Sequence, residues 1–150
     1  MRTRIYNNKE QIFCEWRKRW VRLTPEEWVR QQLLHRLVEQ LEYPMSLIAV
    51  EVPFTMANGK AFRADAVVYG NTPLLRGEGQ GGVSPLMLIE CKAETVPLTQ
   101  KTLDQALTYN RKLGVPWLVL HNGIQTISVK TGDNIAFSSE IPAYNQMTQW

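Results

Sequence analysis

The apolar residues of this chain change period several times, and each change marks an element. Between Thr24 and Glu42 they fall at Trp28, Leu33, Leu34, Leu37, Val38 and Leu41, a helical spacing. Thr24-Pro25-Glu26-Glu27 supplies an N-cap hydroxyl, a proline at the first helical position and a Glu at N3, the capping-box pattern. Tyr43-Pro44 closes the segment, so a helix is predicted over about 25–42. Residues 46–54 and 61–69 read as two strands around the hairpin pair Asn58-Gly59. Residues 86–92, LMLIECK, form a third strand. Alternation places Leu86, Leu88, Glu90 and Lys92 on one of its faces and Met87, Ile89 and Cys91 on the other. The same rule puts Arg63, Asp65, Val67 and Tyr69 together on the second strand.

A second helix is predicted over 99–113, stopped by Gly114. A buried-type strand follows at 115–121, then strands at 124–130 and 135–138 behind the turns Asn122-Gly123 and Thr131-Gly132-Asp133. Residues 1–23 show no clean period and read as an irregular or partly helical lead-in. Residues 70–84 are Gly-rich and read as a loop, and the tail beyond Pro142 reads as loose. The order α-β-β-β-α-β plus a C-terminal β hairpin is that of an α/β fold, a mixed central sheet flanked by helices. It is expected to form one domain over 1–150 with a core at about 17–138.

Composition narrows the function classes. At 150 residues and 44% hydrophobic, the chain can bury one core, and its apolar runs are too short to span a bilayer. Two cysteines, Cys14 and Cys91, are too few for a disulfide framework. The opening MRTRIYNNKEQ lacks the apolar core of an export signal, so a reducing cytoplasm is expected. The net charge is +3, but Arg17, Lys18, Arg19, Arg22 and Arg30 cluster among Trp16, Trp20 and Trp28. Such a cluster suits a nucleic-acid backbone with stackable bases, or equally a solvated helix face with its tryptophans packed inward. No glycine pattern has the spacing of a nucleotide-phosphate loop, and His35 and His121 stand alone.

The candidate chemistry is carried by carboxylates. Neighbouring antiparallel strands can bring Asp65 beside Glu90, where the two repel unless a cation lies between them. Mg²⁺ binds through one or two such carboxylates plus substrate phosphate. Lys92, two residues beyond Glu90, points to the same place and can steady a water or a developing charge. On these three residues alone a strand-end salt bridge is the simpler account. Gln105 and Tyr109 are spaced i, i+4 on one helix face, either as buried packing residues or as groups that position Lys92, water or phosphate.

Taken in order, these motifs resemble the PD-(D/E)XK nuclease superfamily, the restriction-endonuclease-like αβββαβ fold. The segments TPEEWVRQ, RADAVVY, LIECKA, DQALTYN and HNG look most like the N-terminal nuclease domain of the type I restriction enzyme R subunit. The resemblance implies Asp65, Glu90 and the backbone carbonyl of Cys91 as Mg²⁺ ligands, with Mn²⁺ as a substitute. It implies Lys92 as the catalytic lysine, Gln105 and Tyr109 as supporting residues, and Glu27 at the site edge. Glu26 competes for that last place, and Glu27 is preferred because it shares a stripe with Gln31, Leu34 and Val38. DNA is the implied substrate, with Arg17, Lys18, Arg19, Arg22, Arg30 and Arg63 as candidate contacts. The sequence holds no Walker-type motif, so a motor or specificity subunit would act in trans, and two copies would serve two strands. The alternative is a catalytically silent nucleic-acid-binding or assembly module of the same fold.

Overall fold

A hydroxyl cap and a proline start the first helix, α1 (Pro25–Glu39), with Thr24 Oγ1 accepting from the Glu27 backbone N–H at 3.0 Å. The reciprocal half of the capping box goes elsewhere, because the Glu27 carboxylate turns to Arg17 and Arg30. The computed structural model describes residues 1–71 and 83–148. Most of the stretch read as a loop at 70–84 therefore lies outside the described residues.

Three strands precede α1: β1 (Thr3–Tyr6), β2 (Lys9–Cys14) and β3 (Arg19–Arg22). After it come a short 3-10 turn (Met45–Leu47), β4 (Ile48–Thr55), β5 (Ala61–Asn71) and β6 (Val83–Cys91). Then follow α2 (Gln100–Leu113), β7 (Trp117–His121), β8 (Thr126–Lys130), β9 (Ala136–Ser138) and a single-turn helix α3 (Tyr144–Met147). The large sheet runs β4-β5-β6-β7-β8-β9. Only β6 and β7 pair in parallel, which requires a crossover, and α2 provides it. The α1-β4-β5-β6-α2-β7 portion is the restriction-endonuclease-like core, and β8–β9 are the added hairpin.

The two helices cover opposite faces of this sheet. Val29, Leu33, Leu34 and Leu37 of α1 pack on Ala66, Val68, Met87, Ile89 and Cys91. Leu103 and Ala106 of α2 pack on Ala64, Val67, Leu88, Leu118 and Leu120. Each fully buried leucine contributes about 1.5–3 kcal/mol relative to exposure, so these faces hold the strand ends in place. Alternation therefore holds along β6: Leu88 faces α2, while Met87, Ile89 and Cys91 face α1.

On β5 strict alternation fails. Ala64 and Val67 both pack toward α2, although their parities differ, so the strand changes face between them, at Asp65. The ladder with β4 pairs Val50 with Ala66 and Val52 with Ala64, and omits Glu51 opposite Asp65. Glu51 is in the left-handed region at φ 56, a conformation that costs a non-glycine residue of order 1 kcal/mol or more. The ladder with β6 likewise ends at Ala66–Ile89. Asp65 is thus released from the face it was expected to share with Val67.

The ends of the chain also depart from expectation. Residues 1–23 are an antiparallel sheet, β1-β2-β3, joined at Asn7-Asn8, both with positive φ as a primed hairpin turn requires. Beyond Pro142 the chain is tied down: Tyr43 Oη donates to the Pro142 carbonyl at 2.7 Å, and Met147 is buried in the α1-side core. An aromatic anchor and a methionine overrode the looseness expected of a chain terminus. No helix among the described residues is long and apolar enough to cross a membrane.

Candidate active site

The end of β6 carries three consecutive groups with different tasks. The Glu90 side chain follows Leu88 onto the α2 face, where it lines a cavity of about 220 Å³ with Lys92, Gln105, Tyr109 and Phe62. Cys91 turns its side chain into the α1-side core. Lys92 is fixed in backbone by donating its N–H to the His121 carbonyl at 2.9 Å. Gln105 and Tyr109 reach the cavity from α2, and the Tyr109 ring stacks on Phe62 at 4.5 Å between centroids. Four of the sequence-predicted site residues thus surround one space. Phe62, which the sequence reading passed over, forms its wall; only its aromatic character two positions before Ala64 hinted at this.

Asp65, within β5, does not line that cavity and instead meets the end of β6. Its Oδ2 accepts from the Cys91 backbone N–H at 2.7 Å, taking the place of a ladder bond. The other carboxylate oxygen lies 3.6 Å from Arg30 Nη1. Burial raises the Asp65 pKa, against the opposing pull of the Cys91 N–H and Arg30. Burial, and next the charge of Asp65, push Glu90 up to about 8. The Asp65 backbone N–H and Lys92 pull it back only in part. Glu90 Oε1 is buried with no hydrogen-bond partner. A buried carboxylate oxygen left without a partner beside a second carboxylate is a costly arrangement that a cation relieves.

Glu90 therefore has a definite signature in the metal-free chain. Below about pH 4.5 it is protonated in both folded and unfolded states and costs nothing. Between about 4.5 and 8 the unfolded chain releases a proton that the folded chain retains, so stability falls as pH rises. Glu90→Gln, which mimics the protonated form, is expected to melt with wild type near pH 4 and progressively above it toward pH 8, in thermal scans with chelator. Parallel curves across this range would contradict the assignment.

Glu27 is inward-facing, as its stripe predicted, but its partners are arginines. Oε1 accepts from Arg17 Nη2 and Arg30 Nη2, both at 2.6 Å, and Oε2 accepts from Arg30 Nε at 2.9 Å. Burial opposes its ionisation, and the two arginines overcome that and lower its pKa. The neighbouring Glu26 is exposed, and it is Glu26 whose negative charge helps raise both Asp65 and Glu90. Glu27 is thus a clamp that orients Arg30 toward Asp65, and Glu26 is the acidic group of α1 that the two site carboxylates feel. Glu51, also missed in the sequence, closes the clamp with Arg17 at 3.5 Å and Arg30 at 3.4 Å.

The expected basic patch divides accordingly. Arg17 and Arg30 are withdrawn into this ion-pair network, whereas Lys18, Arg19, Arg22 and Arg63 remain exposed. Mutual attraction to Glu27 outweighed solvation for the first two.

Among the described residues no set of three or more His, Cys, Asp or Glu side chains is arranged to hold a metal ion. Asp65 and Glu90 are two hard oxygen donors, and Mg²⁺, which keeps several of its waters, needs no more than one or two such carboxylates from a protein. The unpartnered Glu90 oxygen fits that ion.

Residues 25–142 match the family model described as "Type I restriction enzyme R protein N terminus". The chain belongs to that family. Among solved structures, the R-protein N-terminal fold is shared with a fragment assigned as the HsdR subunit of a type I restriction enzyme from Vibrio vulnificus YJ016. The identity is 19% and the TM-score 0.54, over 83% of this chain and 24% of that one. The chain thus spans about a quarter of that relative. A DUF820 protein from Anabaena variabilis ATCC 29413 aligns at 11% identity and TM-score 0.48, over 89% of this chain and 79% of that one. No curated protein sequence matches. The family and the fold together make this a type I restriction enzyme R-protein N-terminal domain.

Proposed function

We propose that this R-protein N-terminal domain is a Mg²⁺-dependent DNA nuclease that hydrolyses phosphodiester bonds. One observation carries the reading: the buried Glu90 Oε1, left without a hydrogen-bond partner near the charge of Asp65, at the end of the strand that leads to Lys92 in the same cavity. Asp65, Glu90 and the Cys91 carbonyl would hold the ion. Bound there, Mg²⁺ would supply Lewis acidity and neutralise phosphate charge. Lys92 would hold the attacking water, donating a hydrogen bond that aims its lone pair at phosphorus. Gln105 and Tyr109, opposite Lys92 across the cavity, would fix the water and a phosphate oxygen. Arg30, braced by Glu27, would keep Asp65 ionised and aligned. A motor or specificity subunit in trans, a second copy for the second strand, and a cytoplasmic setting belong to the same reading.

Isothermal calorimetry tests it. Mg²⁺ or Mn²⁺ is expected to bind wild type, with affinity rising toward pH 8 as Glu90 loses its proton, and to lose affinity at least about tenfold in Asp65→Asn and Glu90→Gln. No metal binding by wild type, with salt-dependent DNA binding intact, would establish the silent binding module instead.

A further inference from the structure

The sheet β1-β2-β3 has no part in the cavity, and the family match begins only at Pro25. Its register sorts its side chains sharply. Arg4 pairs with Gln11 and Gln11 with Arg22, Tyr6 pairs with Lys9, and Phe13 pairs with Trp20. Directly opposed residues share a face, and Arg2 joins this one by lying 4.1 Å over the Phe13 ring. The other face sends Ile12 and Cys14 into the interior. The outward face therefore carries four cations, Arg2, Arg4, Lys9 and Arg22, all exposed, with three aromatic rings among them.

The arginines are not loose. Arg4 lies 4.3 Å over Trp20 and 4.9 Å over Tyr6, and donates from Nε to Gln11 Oε1 at 2.7 Å. A guanidinium seated over a ring is restrained in position while its remaining N–H groups are free to fork onto phosphate oxygens. Glu15 meets Arg2 at 3.7 Å on the exposed rim, a pair that a competing phosphate displaces at little cost. Rows of paired residues two positions apart along the strands are spaced by about 6.7 Å, which sets the cations out along the sheet.

We propose that this face is a binding surface for single-stranded DNA. The four cations meet the phosphate backbone, and unpaired bases stack on the exposed Tyr6 and on the arginines that cover Phe13 and Trp20, as duplex bases cannot. The choice of DNA rests on the function proposed above; the charge and ring arrangement that binds the strand does not.

Binding is measured by fluorescence anisotropy with a labelled oligothymidylate of roughly 16 nucleotides. Chelator is present throughout, so cleavage plays no part. Wild type is expected to bind with a salt slope that falls by about 3 in the combined variant Arg2→Gln, Arg4→Gln, Lys9→Gln and Arg22→Gln, at about 0.7 per phosphate contact. The milder pair Lys9→Gln and Arg22→Gln is expected to lower it by about 1.5, and serves if the fourfold variant does not keep the wild-type melting profile. An unchanged slope in the pair overturns the proposal. So does a duplex of the same length bound as tightly as the single strand, which assigns the face to duplex DNA. Equal binding of a polyglutamate peptide also overturns it and points to an acidic protein partner. Metal binding and plasmid cleavage with no strand binding refute this surface alone. Strand binding without metal binding refutes the nuclease reading alone.

Discussion

Replacing Lys92 by Ala is expected to lower the rate of supercoiled-plasmid nicking in Mg²⁺ or Mn²⁺ by roughly 100-fold or more, the range for loss of a group that handles the proton and charge of a hydrolytic step. Lys92 lines the cavity with Glu90, Gln105 and Tyr109, and its backbone is pinned to His121, so its side chain starts from a fixed point at the cavity wall. The ion itself would rest on Asp65, Glu90 and a carbonyl. Metal affinity by calorimetry is therefore expected to stay within about threefold of wild type while the rate collapses. That split separates a catalytic lysine from one that merely balances Glu90. A salt-bridge lysine would leave the nicking rate unchanged on removal, and equal rates in the two proteins would sink the assignment.

The second large effect is expected away from the cavity. Glu27→Ala removes the carboxylate that accepts from both Arg17 and Arg30 while these stay largely buried, with side chains 12% and 10% exposed. Breaking a buried pair by deleting one partner costs about 3–5 kcal/mol, because the remaining charges are left uncompensated. Glu51 retains a share of both arginines, so a loss of about 3 kcal/mol is expected. For a chain of this size that lowers the melting temperature by roughly 6–12 °C. Metal affinity is expected to fall as well, since Arg30 loses the brace that holds it toward Asp65. Glu26→Ala, at an exposed position, is expected to change stability by less than about 0.5 kcal/mol. Chemical denaturation of the two variants decides between them, and equal effects would refute the clamp.

Much of this protein was legible in its sequence because the information was local. Helical spacing, a Thr cap and a Gly stop define α1 and α2 within a residue or a few of their observed ends. Alternation along LMLIECK separates Glu90 from Cys91 before any fold is known, and it held because β6 lies between covered faces. The order of elements and the motif set sufficed for the family.

Other features depended on partners distant in sequence. The N-terminal strands were missed because their outward face is cationic and aromatic, so the usual contrast between apolar and polar positions is absent. The tail was misjudged because its anchor, Tyr43, lies about a hundred positions away. Which of two adjacent glutamates faces the site carboxylates could not be read from a helix stripe. Glu27 does point inward, but what waits there is a pair of arginines, one of them from the loop before β3. The face of Asp65 was set by a ladder break opposite Glu51, whose left-handed backbone no alternation rule contains. The sequence by itself determined the elements, their order and the chemical groups at the end of β6. Tertiary structure alone decided which charges neutralise one another and which carboxylate oxygen is left unpartnered, because electrostatic pairing follows distance in space and not separation along the chain.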